Sequence, residues 1–122
     1  MEQEKEIIAR FLKDIANSYC IIRTCNSGVH FGKVKALDKQ TALITDCRRI
    51  WYWDGAFTLS ALADIGTKKP KNCKFSCFVP EILLTDVLEI IPCRVSAANQ
   101  IKDFGNETRK FTIFRLFCAN IG

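Results

Sequence analysis

The hydrophobic period of this chain changes after Asn17-Ser18, and that change limits what it can fold into. On the N-terminal side Ile7, Ile8, Phe11, Leu12 and Ile15, running on to Tyr19, recur at three- and four-residue steps. Glu2, Glu4 and Glu6 occupy the first turn, where a helix dipole favours negative charge. Residues 3–18 therefore predict an amphipathic helix. Its apolar side covers one flank of the core in the simpler reading, and packs across a subunit boundary in the other.

Beyond the change the chain is β-branched and aromatic, broken by turn signals. A strand over 20–24 meets the turn Asn26-Ser27-Gly28, and an alternating return strand over 29–37 contains Gly32, a mark of a bulge or a close backbone approach. A turn at Asp38-Lys39-Gln40 precedes strand pattern over 41–46 and 48–53. Asp54-Gly55 then stops it before a short helix over 58–65, closed by Gly66, with Asp54 as its expected N-cap. Residues 67–72 read as a basic loop. An edge strand over 73–79 ends at Pro80, and 82–91, whose apolar residues fit both periods, is taken as strand. After Pro92 a helix covers 95–103, and Gly105-Asn106 turns into a last alternating segment over 108–118.

At 122 residues, with 48% hydrophobic residues and nine Phe, this is one domain with enough apolar area for a core. The expected fold class is α+β: a mainly antiparallel sheet, a long N-terminal helix (about 3–18) and one or two short helices. The β-rich body spans about 20–93, and a C-terminal helix and strand span about 95–118. No apolar run approaches the ~20 residues of a membrane span, and the acidic N-terminus lacks the pattern of an export signal. Seven cysteines, an odd number, then point to reduced thiols in a cytoplasm. The charge of +5 favours anionic partners but is too small to identify nucleic-acid binding.

Enzyme signatures are absent: there is no glycine-rich phosphate loop ahead of a lysine, no paired-histidine metal motif and no Gly-x-Ser-x-Gly elbow. His30, the single histidine, lies in an alternating strand, where a solvent-facing or hydrogen-bonded ring is expected rather than a general base. Cys20 and Cys25 with Cys73 and Cys77 do not have zinc-knuckle spacing, so they read as small core residues. No catalytic residue, cofactor or metal is expected.

The most informative run is Arg48-Arg49-Ile50-Trp51-Tyr52-Trp53-Asp54-Gly55-Ala56-Phe57-Thr58, two arginines and four aromatics ending at a helix N-terminus. Rings and guanidinium groups stack on purines, and the guanidinium fork matches phosphate oxygens. Alternation sends Trp51 and Trp53 to one sheet face and Tyr52 to the other, leaving core and site equally open. In the last segment Arg109, Phe111, Ile113, Arg115 and Phe117 share a strand face. Arg115 among apolar residues calls for a carboxylate such as Asp86 or Glu89, for a carbonyl cluster, or for an anionic ligand. Arg109 and Arg115 lie about 20 Å apart along a strand, so one small ligand is gripped by both only if two subunits contribute one each. Asn106 and Thr108 add neutral hydrogen bonds.

The run Arg49-Ile-Trp-Tyr-Trp-Asp-Gly-Ala-Phe-Thr-Leu-Ser60, with Leu62-Ala63, Pro70-Lys-Asn-Cys-Lys-Phe75 and Val87-Leu-Glu-Ile-Ile-Pro-Cys93, resembles the phage Thoeris anti-defence sponge family across roughly residues 20–100. The resemblance implies a small protein in the cytoplasm of an infected bacterium that sequesters a cyclic ADP-ribose isomer, such as glycocyclic ADP-ribose, without cleaving it. Its pockets would lie between subunits of a homodimer or higher homo-oligomer. Arg109 and Arg115 would take the pyrophosphate and Trp53 or Phe57 the adenine, with Thr58, Asn106 and Thr108 nearby. Some members look able to hold cyclic trinucleotides at separate sites. Three other classes stand beside this reading: an enzyme that opens a cyclic nucleotide with a carboxylate such as Glu89 or Asp54, a nucleic-acid-binding module, and a purely structural homo-oligomeric module whose aromatic face is an interface.

Overall fold

In a computed structural model, which describes residues 2–104, the change of period falls where the sequence puts it, but the helix stops early. Helix α1 spans Glu2–Asp14 rather than 3–18, because the chain turns through Ala16 and Asn17, the latter at φ 64°. Tyr19 belongs to strand β1 (Tyr19–Thr24). Strands β2 (Val29–Asp38) and β3 (Thr41–Tyr52) follow through tight turns in which Gly28 and Lys39 take positive φ. Helix α2 (Leu59–Ile65), a 3-10 turn (Pro70–Asn72), β4 (Lys74–Phe75), β5 (Val79–Leu84), β6 (Val87–Pro92) and helix α3 (Val95–Asp103) complete the described chain. The architecture is α+β, with an antiparallel sheet and three helices, as the sequence indicates. The expected strand over 108–118 lies outside the described residues.

Two expected strands divide differently. Of 73–79, Lys74–Phe75 form β4 against β3, and Val79 already belongs to β5, which takes in Pro80 and also pairs with β3. Because β5 bonds to β3 along one edge, a residue without an N–H is tolerated on it. The segment 82–91 is strand, but it breaks at Thr85-Asp86 into β5 and β6. The break is a long-range effect: the Asp86 carboxylate accepts from the backbone N–H of Asn26 at 2.7 Å and from the N–H and hydroxyl of Ser27 at 3.3 and 3.1 Å.

The sheet curls. Strands β5 and β6 are two residues apart in sequence, yet β5 bonds to β3 and β6 to β1, on opposite sides of β2. Asp86 accepts from the Cys25 N–H while Val87 donates to the Gln40 carbonyl, so neighbouring residues touch both ends of β2. A ten-residue strand drawn straight would separate those ends by about 30 Å. The curvature is taken up at register shifts near Gly32 and Lys35 and at Asp46, which has φ 49°. At Gly32 an added Cβ would sit 2.6 Å from the Cβ of Cys47, which is the close approach the sequence signals.

Curling divides the core. Cys20, Ile22, Ala42, Ile44, Cys47, Leu84 and Val87 from four strands gather on the concave side with Ile15, and Phe11 and Leu12 of α1 pack against them. Tyr19, Ile21, Phe31 and Ile50 point to the convex side, where Leu62 and Ala63 of α2 and Ala98 and Ile101 of α3 cover them. Both faces of β1 are therefore buried, which is why Tyr19 through Ile22 read as an unbroken apolar run. Among the described residues no helix is long and apolar enough to cross a membrane.

Candidate functional site

The two adjacent arginines have opposite fates. Arg48 points to the convex side with Ile50 and is 3% exposed. Its Nε donates to the Ser76 carbonyl at 2.8 Å, and Nη1 donates to the carbonyls of Ile101 and Phe104, both at 3.0 Å. These are last-turn carbonyls of α3 that lack helical partners, and a cation there also complements the helix dipole. The rings of Phe75, Phe78 and Phe104 stand 4.7 to 5.8 Å from its guanidinium carbon. Arg48 is thus an anchor for α3 rather than a ligand group.

Arg49 points the other way. It sits across the β2–β3 ladder from His30, and its guanidinium lies 5.2 Å from the centre of the Trp51 ring. With Trp51, Trp53 and the turn Asn26-Ser27-Gly28 it walls an open cleft of about 670 Å³, solvent included. Among the described residues the lining holds one cation, two indoles, short polar groups and the apolar Val29 and Ile50, and no carboxylate. Trp51 is 60% exposed, while Trp53 is half-buried against the convex cluster.

His30 is wholly buried. Its Nε2 donates to the Ser27 carbonyl at 3.0 Å, which leaves Nδ1 as the bare ring nitrogen, without a partner among the described residues. Burial, then the charge of Arg49, lowers its pKa from the ordinary 6.5. Of the two expected environments the hydrogen-bonded one is found, and the solvent-facing one is not.

The loop that presents the aromatics is tied down. The Thr67 hydroxyl donates to the Asp54 carbonyl, Lys68 N–H donates to the Gly55 carbonyl at 3.2 Å, and Thr67 and Gln100 exchange two hydrogen bonds of 2.7 Å. Gly55, at φ 83°, lies where a Cβ would come 2.6 Å from the backbone nitrogen of Lys69. Asp54 is not the cap of α2. Its carboxylate accepts from Asn72 at 3.2 Å and from the Gly55 N–H at 2.8 Å, and these bonds lower its pKa. The cap is Thr58, whose hydroxyl accepts from the Ala61 N–H at 3.1 Å. That engagement gives Thr58 a local role, and Phe57 beside it is 99% exposed.

The expected ligand residues Arg109, Arg115, Asn106 and Thr108 lie outside the described residues. Asp86 and Glu89, the carboxylates expected to answer Arg115, already have partners: Asp86 holds the Asn26-Ser27 turn, and Glu89 pairs with Arg23 at 2.8 Å. Among the described residues no three His, Cys, Asp or Glu side chains come together as a metal site. Cys20, Cys47 and Cys73 are buried, as small core residues, whereas Cys25 is exposed. Arg49 was part of the informative run, but the pattern alone did not separate it from Arg48. The signal lay in the alternation that groups Arg48 with Ile50 and Arg49 with Trp51.

The described residues define a curled antiparallel sheet with helices on both sides and an arginine–indole cleft at one end of the β2–β3 ladder. Within that class the chain belongs to the family described as domain of unknown function DUF6948, whose profile matches residues 17–101. No curated protein matches it in sequence. Among solved structures it is similar to a heptameric archaeal Sm protein at 15% identity, over 70% of this chain and 98% of that one, with a TM-score of 0.46.

Proposed function

We propose that this protein binds an intact cyclic ADP-ribose isomer in a bacterial cytoplasm and withholds it from its receptor, as a phage protein blocking Thoeris signalling, without catalysing a reaction. The reading rests on the sequence resemblance and on one observation, the arginine–indole cleft with no carboxylate among the described residues of its lining. Indole faces accept a purine, and the Arg49 guanidinium suits a pyrophosphate oxygen.

Sequestration demands nanomolar affinity, about −12 kcal/mol. An open cleft does not deliver that to a solvated dianion, because charge-assisted bonds gain most when desolvated. The proposal therefore includes enclosure by a second subunit, with Arg109 from one chain and Arg115 from the other.

The test mixes the full chain with glycocyclic and canonical cyclic ADP-ribose, removes free ligand, denatures the protein by heat and analyses the supernatant. Intact nucleotide in stoichiometric amount supports the reading; a converted product makes the protein an enzyme, and no nucleotide defeats the proposal. The exposed Trp51, Tyr52 and Phe57 favour nucleic acid as the second reading. A steep fall of affinity with salt, from release of counterions, would identify it.

A further inference from the structure

The turn that walls one side of the cleft is held from behind, by a residue far from it in sequence. The Asp86 carboxylate accepts from the Asn26 N–H at 2.7 Å, the Ser27 N–H at 3.3 Å and the Ser27 hydroxyl at 3.1 Å. Its carbonyl accepts from the Cys25 N–H at 2.9 Å. Inside the turn the Thr24 hydroxyl donates to the Gly28 carbonyl at 2.6 Å, and the Ser27 carbonyl accepts from His30 at 3.0 Å. The Asn26 and Ser27 amides, of the kind that cradle an anion elsewhere, are therefore committed to a carboxylate. The Asn26 carboxamide is not committed. Asn26 lines the cleft and is exposed, and its side chain has no partner among the described residues.

The cleft therefore has two unlike sides. Arg49 brings a cation, while the turn brings a neutral amide backed by a negative charge that repels phosphate. We propose, resting on the reading that the cleft holds an adenine nucleotide, that Asn26 reads the edge of the base and that Asp86 is the positioning residue that fixes Asn26 there. A carboxamide presents an acceptor beside a donor, the complement of adenine's amino group and N7. Hypoxanthine carries a carbonyl oxygen where adenine has its amino group, so that edge offers two acceptors and the carboxamide oxygen is left facing one of them. Stacking on Trp51 and Trp53 tolerates either ring, because every base has a π-face. Discrimination falls to Asn26, with the base toward the turn and the pyrophosphate toward Arg49. Asn26 is outside the left-handed region, so its side chain can be exchanged without backbone strain.

The experiment measures, by calorimetry, the affinity of the full chain for glycocyclic and canonical cyclic ADP-ribose, each beside its hypoxanthine counterpart. The wild type is expected to prefer adenine at least about tenfold, the scale of one bidentate base contact. Asn26→Ala is expected to bring both bases to one weakened affinity with Tm unchanged. Asp86→Ala, which frees the turn, is expected to lose the preference as well, and to alter the adenine-to-hypoxanthine ratio no further when added to Asn26→Ala. A role confined to stability would not move that ratio. Asn26→Ala keeps the backbone bonds to Asp86 and decides the question where Asp86→Ala loses the fold. Equal wild-type affinity for the two bases overturns the proposal and leaves sequestration standing, whereas binding of neither overturns both. A preference that survives Asn26→Ala or a folded Asp86→Ala overturns the proposal.

Discussion

Arg49 stands across the β2–β3 ladder from His30, and each keeps one buried nitrogen, Nε and Nδ1, without a partner among the described residues. A protonated ring would place a second cation beside the first in a site that already disfavours charge. The neutral imidazole is the form that burial and the neighbouring Arg49 charge favour.

Folding stability therefore falls with acid on account of His30. Its folded pKa lies below the unfolded value of 6.5, so below that pH the unfolded chain binds the proton first. The contribution is complete above 6.5 and declines as pH falls toward the lowered folded value. Denaturant midpoints between about pH 7 and pH 5 should show this slope, and His30→Gln should flatten it. An equal slope in the variant would remove His30 from the explanation.

Arg48→Ala should destabilise severely, because it deprives the Ser76, Ile101 and Phe104 carbonyls of a buried donor and empties the space between three phenyl rings. A loss of about 3 kcal/mol or more is expected, lowering Tm by roughly 10–20 °C. Arg49→Ala should leave Tm within a few degrees and weaken nucleotide capture at least about tenfold, the loss of a charge-assisted bond. Calorimetry with binding assays on both variants separates the roles; equal Tm losses would contradict the division.

Gly32→Ala brings a methyl group against the Cβ of Cys47. Overpacking of this kind costs about 1–3 kcal/mol. Cys47→Ala keeps that Cβ and should give no relief in the double variant, whereas Cys47→Gly should recover part of the loss. Thermal melts of the four proteins decide it.

Thiol chemistry should follow position. Burial pushes Cys20 and Cys93 up to about 12 and Cys47 to about 11, so all three stay protonated at neutral pH. A brief pulse of iodoacetamide should modify the exposed Cys25 well before them, as read by peptide mass spectrometry. Labelling of Cys20 at the Cys25 rate would show that the concave cluster opens readily.

Local signals carried much of the fold. The periodicity of α1, the turn at Asn26-Ser27-Gly28, the glycine at 32 and the cap at Gly66 are short-range chemistry, and each is found. The break at Thr85-Asp86 was not legible, because its cause is a carboxylate reaching amides sixty residues away. The α1 terminus ran long because Ile15 and Tyr19 continue the helical spacing while serving the sheet core instead. In the cleft, Trp51 and Trp53 share a face by parity, yet one is exposed and the other half-buried. The chain leaves β3 after Tyr52, so alternation ceases to govern Trp53.

Tyr19 to Ile22 form a party wall one strand thick, with α2 and α3 leaning on one side and the curled interior filled from the other. No compliant layer separates the two rooms. A push on the convex helices is transmitted to the interior through the same backbone that both sides use for support. Neither room can be refitted without shifting the other, so substitutions in α2, α3 and the concave cluster should be strongly non-additive wherever they touch β1.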